Sequence, residues 1–187
     1  GSEMCIRDRR IGLDIMEVAP APLLALTKIQ RDEIAAAAKA NNIELTFSVG
    51  LGLDQDLASE DETIRKNGIK FTTDAFKVMS EMGAKMYSGV DIAAWNKTFT
   101  EGIIDKSAAW ERSILAVKEI MKSAEDMGIT FAVEVVNRYE SSLVNTAEEA
   151  IKYVDEVDSP NCKILLDTYH MNLSLIHISE PTRPEPI

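Results

Sequence analysis

The stretch Phe131–Glu140, FAVEVVNRYE, decides how this chain is read. Phe131, Ala132 and Val133 are apolar, Glu134 interrupts, and Val135 and Val136 resume. A short apolar run rich in β-branched residues is the mark of a strand covered on both faces, as in parallel sheets. A carboxylate in the middle of such a strand cannot stay bare, because an unpaired buried charge is strongly unfavourable. Glu134 must meet a cation, a metal ion or a donor network, or else hold a proton. The polar cluster Asn137, Arg138, Tyr139 and Glu140 follows where the strand runs out into a loop.

Outward from that strand the same unit repeats. Towards the N-terminus, apolar periodicity predicts a helix over 107–127, ended by Gly128, and a short strand over 85–90. A long irregular segment over 91–106 carries Trp95 and Phe99, and loops of that length inside a domain are usually functional. A helix to about Met82 starts from cap residues in Ser59–Asp61 and stops at Gly83. Before it lie a strand over 43–49, a helix over 27–40 and a strand over 11–18, with the proline-containing APAP of 19–22 read as a loop. Towards the C-terminus, Thr146 and Glu149 form a capping-box pattern for a helix to about Val157, and KILLDT, 163–168, is a last strand before Tyr169, His170, Met171 and Asn172.

Strand–helix alternation argues for parallel strands with right-handed crossovers and helices outside. Acidic residues recur at the C-terminal ends of strands, at Glu17, Glu134 and Asp167. That is the edge on which a (β/α)8 barrel does its chemistry. An open doubly wound sheet is the rival, but no GxGxxG turn follows the first strand. The expected fold is α/β: a partial (β/α)8 TIM barrel of about five parallel strands with outer helices, lacking the first and the last strands of a complete barrel of ~250 residues.

Composition narrows the function. The chain has 31 acidic and 20 basic residues, a net charge of −11, and no basic patch interleaved with aromatics, so nucleic acid is not an expected partner. No apolar run reaches the ~20 residues of a membrane span. Two cysteines, Cys5 and Cys162, build neither a disulfide framework nor a metal-ligand spacing and fit a reducing, cytoplasmic setting. Two roles are open to Glu134 on this evidence: a structural ion-pair partner, or a group that does chemistry. Asp167 and His170, close together at another strand end, favour the second.

Together VEVVNRYE (133–140), LLDTYHMN (165–172), DIMEVA (14–19), IRKN (64–67) and WERS (110–113) resemble the ketose 3-epimerases, the D-tagatose and D-psicose (D-allulose) 3-epimerases of the xylose-isomerase-like TIM-barrel superfamily. The resemblance implies epimerisation of a ketohexose at C3 with a divalent metal, Mn2+ foremost and Co2+ or Mg2+ as alternatives. It implies that Glu134 is both a metal ligand and a catalytic carboxylate and that Asp167 is a second ligand. Glu140 and His170 match residues that bind the sugar near its carbonyl, and Trp95 a loop aromatic lining the sugar pocket. The family's histidine ligand and second catalytic glutamate belong to later strands. Glu17 fits a supporting position beside the ligands.

The chemistry asks for the same set. Inverting a carbon beside a ketone removes its proton and returns one from the other face through a cis-enediolate, with one carboxylate per face moving protons and a metal stabilising the negative charge. Oxygen ligands with one imidazole suit Mn2+, Mg2+ or Co2+. Other enzymes of the superfamily, such as a hydroxypyruvate isomerase or an inosose dehydratase, are the nearest alternatives. An apurinic endonuclease on the same barrel would call for a basic surface. A homo-oligomeric full-length parent is expected.

The two ends read differently. Back-translated as CTG TCT CTT ATA CAC ATC TCC GAG CCC, Leu173–Pro181 has a reverse complement that, in a shifted frame, encodes GSEMCIRD, the first residues of the chain. This looks like a sequencing-library adapter flanking an insert. Residues 1–9 and 173–187 are therefore expected to be adapter-derived tails around a partial barrel domain over 10–172 and to stay out of its core. His177 and Cys5 carry no functional weight, and an inert truncated fragment is a further alternative for the chain itself.

Overall fold

The described strands are mostly apolar, and the long helices between them end at local stop signals, so the backbone turns back on itself in regular units. The computed structural model describes residues 2–97 and 105–174. Helix α1 spans Ser2–Arg10, strand β1 Ile15–Val18, helix α2 Pro20–Leu24 and helix α3 Lys28–Ala40. Strand β2 covers Glu44–Leu51, helix α4 Glu62–Met82, strand β3 Met86–Ala94 and helix α5 Ser107–Met127. Strand β4 is Thr130–Val135, helix α6 Ala147–Val157, strand β5 Cys162–Leu166 and helix α7 Thr168–Ser174. All five strands are parallel, in the spatial order β1-β2-β3-β4-β5. This is the partial barrel that the alternation of strand and helix predicts.

Local chemistry sets the helix ends. Thr27 and Gln30 close a reciprocal capping box on α3. The Asp61 carboxylate accepts the Thr63 N–H at 2.7 Å at the start of α4. Gly83 and Gly128 end α4 and α5 in the left-handed conformation, at φ 77° and 61°. At α6 the expected capping box forms only by half. The Thr146 hydroxyl accepts from the Glu149 N–H, but the Glu149 carboxylate takes the N–H of Asn145 at 2.7 Å and the ammonium of Lys106.

Several readings change, beginning with β1, which starts at Ile15 and not at Ile11 because Ile11 and Gly12 lie in the turn after α1. The APAP segment is not all loop: Pro20 opens the short helix α2, where the N–H it lacks would have had no partner. β3 runs on to Ala94 instead of ending at Val90, so Asp91 lies inside a strand and is fully buried. The chain after β5 forms helix α7, with the Asp167 carboxylate accepting the Tyr169 N–H at 2.6 Å in the manner of a cap. Phe99 lies outside the described residues, as do Ile176, His177 and Ile178 of the expected C-terminal tail. Helix α1, in the expected N-terminal tail, rests against α3 on the outer layer.

Strand register places the core. Phe47, Tyr87, Phe131 and Cys162 are direct partners across four neighbouring strands, and all are buried. Tyr87 stacks on Phe131 with centroids 5.8 Å apart, and Phe76 of α4 meets Tyr87 edge-on at 5.2 Å. Fully burying one such side chain contributes about 1.5–3 kcal/mol. Met79, Val117, Ile120, Met121 and Tyr153 complete this layer between sheet and helices. The next row, Ser48, Ser88 and Ala132, points to the opposite face and carries small side chains. Glu134, two residues beyond Ala132, lies on that same inner face.

Candidate metal centre

The site is assembled at the C-terminal ends of β4 and β5. Glu134 is the penultimate residue of β4, paired in register with Leu165 of β5. Asp167 directly follows β5, and the turn into α7 brings His170 back over it, three residues on and on the same side of the first helical turn. One ligand atom from each of Glu134, Asp167 and His170 lies within 4.8 Å of the others. Glu134 and Asp167 are half-buried and His170 is buried. Two carboxylates and an imidazole at that spacing match the donor set of a Mn2+, Mg2+ or Co2+ ion.

A second ring of residues supports the first. His170 Nε2 stands 3.5 Å from Glu134 Oε1. The buried Asn137 directs both its backbone N–H (3.3 Å) and its carboxamide Nδ2 (2.8 Å) at His170 Nδ1. The same Nδ2 donates to Glu140 Oε1 at 2.8 Å, and Trp95 Nε1 donates to Glu140 Oε2 at 2.9 Å. The indole fits because residue 50 is glycine: a Cβ there would stand 2.9 Å from the Trp95 ring. The structure thus brings all five candidate residues, Glu134, Asp167, Glu140, His170 and Trp95, into one connected region. Asn137 is the member that sequence reasoning left as part of a polar cluster; its place directly after the strand carrying Glu134 was the available signal.

Charge differentiates the carboxylates. Burial pushes the Glu134 carboxyl above its ordinary range; His170 counteracts this, while Asp167, Glu17 and Glu140 add to it by like-charge repulsion. Glu17, on the end of β1, is exposed and acts on the site at a distance. Glu140 moves the other way, held low first by the hydrogen bond from Trp95 and further by that from Asn137. One glutamate is therefore the stronger base and the other a settled anion.

The fold defines a class, and the comparisons agree with it. Residues 9–181 match the xylose isomerase-like TIM barrel family model, and the chain belongs to that family. It is 41% identical over 164 residues to the D-psicose 3-epimerase of Ruminiclostridium cellulolyticum, which covers 88% of this chain and 56% of that protein. It is 33% identical over 167 residues to the ketose 3-epimerase of Arthrobacter globiformis, covering 89% and 56%. Among solved structures, the D-psicose 3-epimerase of Clostridium cellulolyticum H10 with D-tagatose superposes with a TM-score of 0.88 at 38% identity, covering 97% of this chain and 61% of that one. The chain spans a little over half the length of the curated relatives it matches.

Proposed function

We propose that this chain carries one half of the active site of a metal-dependent ketose 3-epimerase. The observation that carries this reading is the convergence of Glu134, Asp167 and His170 ligand atoms within 4.8 Å at the strand edge where barrels of this kind do chemistry. The relatives named as D-psicose and ketose 3-epimerases support the substrate class. Glu134 and Asp167 are the protein ligands of a divalent ion, Mn2+ before Co2+ or Mg2+. An ion held there by Glu134 and Asp167 would supply positive charge where negative charge develops on the sugar oxygens.

The chain's own residues do the rest. Glu134, whose carboxyl is pushed up by burial, accepts the proton from C3 of a ketohexose on its face of the sugar. Glu140 accepts hydrogen bonds from sugar hydroxyls, and Trp95 braces it from the loop after β3. Return of a proton to the opposite face needs a second carboxylate, which the family resemblance places on later strands. The 187-residue chain by itself is accordingly proposed to be inactive, with residues 10–172 holding the barrel-derived part.

Titration with Mn2+, followed by electron paramagnetic resonance of the free ion, tests the assignment. Saturable binding that Glu134→Gln and Asp167→Asn each weaken by about 10-fold or more is expected, since even supporting partners of a metal site are worth 10–100-fold. Binding that neither substitution alters would remove the site.

A further inference from the structure

The geometry points to Asn137 as a positioning residue that holds neutral His170 as the Nε2–H tautomer, making the imidazole a hydrogen-bond donor towards Glu134 instead of a metal ligand. What the donor serves rests on the function proposed above; the tautomer itself does not.

The orientation of the Asn137 carboxamide decides the matter, and two neighbours fix it. The Tyr139 N–H donates to Asn137 Oδ1 at 2.9 Å, so that atom must be the carbonyl oxygen. On the other side Nδ2 faces Glu140 Oε1 at 2.8 Å, where an oxygen would meet a carboxylate with no proton between them. With the amide set this way, Nδ2 is also the atom 2.8 Å from His170 Nδ1. The Asn137 backbone N–H approaches the same ring nitrogen at 3.3 Å. Both groups can only donate. His170 Nδ1 must therefore present its lone pair, and in a neutral ring the single proton sits on Nε2.

That proton has a defined direction. Nε2 lies 3.5 Å from Glu134 Oε1, in a ring that is buried and held at its other edge by Tyr169, whose ring centroid is 5.1 Å away. A nitrogen carrying its proton has no lone pair to give a cation. His170 is thus excluded from the inner ligand set that its distance alone would admit it to. It is left to steady Glu134, or an oxygen bound between them, by donating a hydrogen bond, which is how groups behind metal ligands tune them.

Nitrogen-15 NMR of the chain with labelled histidine tests this without metal or sugar. Only two histidines are present, and His177→Gln assigns the other. Spectra are recorded over a range of pH, and the tautomer is read where the ring carries a single proton. Wild-type His170 should show a protonated Nε2 and an unprotonated Nδ1 whose resonance is displaced by hydrogen-bond acceptance relative to the same ring in urea. Asn137→Asp, which turns an acceptor towards Nδ1, should convert most of the population to Nδ1–H. Asn137→Ala should move the Nδ1 resonance towards its position in urea and serves where the aspartate variant does not fold. A dominant Nδ1–H form in the wild type, an Nδ1 resonance undisplaced from that in urea, or a folded Asn137 variant with an unchanged His170 pattern would each overturn the inference. Absence of metal binding would count against the proposed function and leave this result standing.

Discussion

At the scale of single residues, the two most buried acids of the sheet behave differently. Glu134 reaches the inner face and has His170 beside it. Asp91 of β3 is fully buried, and neither carboxylate oxygen has a hydrogen-bond partner among the described residues. Burial, and to a lesser degree the charge of Glu134, push its pKa well above the ordinary value. A carboxyl that binds its proton more tightly when folded stabilises the fold most below its unfolded pKa of ~3.9, and that contribution falls away as pH rises through the folded pKa. Asp91→Asn removes this liability. Urea unfolding should show the variant gaining on the wild type as pH is raised from about 4 to 8. A constant difference across that range would mean that Asp91 finds a partner. Glu134→Gln should also gain on the wild type as pH rises, by less than Asp91→Asn because Glu134 is only half-buried, but it alone should weaken Mn2+ binding about 10-fold or more, which separates a site residue from a structural one.

Among the secondary-structure elements, one close approach is between β2 and β3. Gly89 has φ 117°, and a Cβ there would stand 2.2 Å from the Val49 carbonyl oxygen. Only glycine allows both the backbone conformation and that approach. Gly89→Ala should therefore cost about 2–3 kcal/mol, as overpacking in a rigid layer does, read as a lowered urea midpoint with an unchanged slope. The α3 cap offers a milder test. Thr27 accepts the Gln30 N–H and Gln30 answers to the Thr27 N–H at 3.0 Å, so Thr27→Ala should cost about 1 kcal/mol. A loss near zero would show that α3 is held by packing alone.

Over the whole molecule, the sheet ends in β1 on one side and β5 on the other, and neither has a second strand partner among the described residues. Such edges are templates for pairing with other chains, and the small-residue inner face between them invites further association. The chain at high concentration should therefore sediment as a mixture of oligomers, and a single sharp monomer boundary would contradict this. With the opposite-face carboxylate on strands that the resemblance places later, incubation of the chain with a ketohexose and Mn2+ should yield no C3 epimer. Supplying the remaining barrel strands of a relative in trans should restore epimerisation. The C3 epimer formed by the chain alone would show that this half performs both proton transfers unaided.

Much of this was legible in the sequence because its signals are local. Apolar periodicity, Gly83, Gly128 and Thr146 set out the β/α alternation, since helix stops and caps act within one turn. Glu134 in an apolar strand, and Asp167 just after another, announced a candidate site at one edge of a parallel sheet. The start of α2 escaped because proline was read for the N–H it lacks, not for the helix position that tolerates the loss. What only the tertiary structure decided depends on register and on loops that cross between strands. Register puts Glu134 on the inner face opposite Phe131, and the turn into α7 carries His170 back over Asp167. The loop after β4 lays Asn137 against that ring and Glu140 against Trp95. Those contacts join residues 33 and 45 positions apart. No local preference encodes them: they arise when packing of the helices against Phe47, Tyr87 and Phe131 fixes where each strand ends.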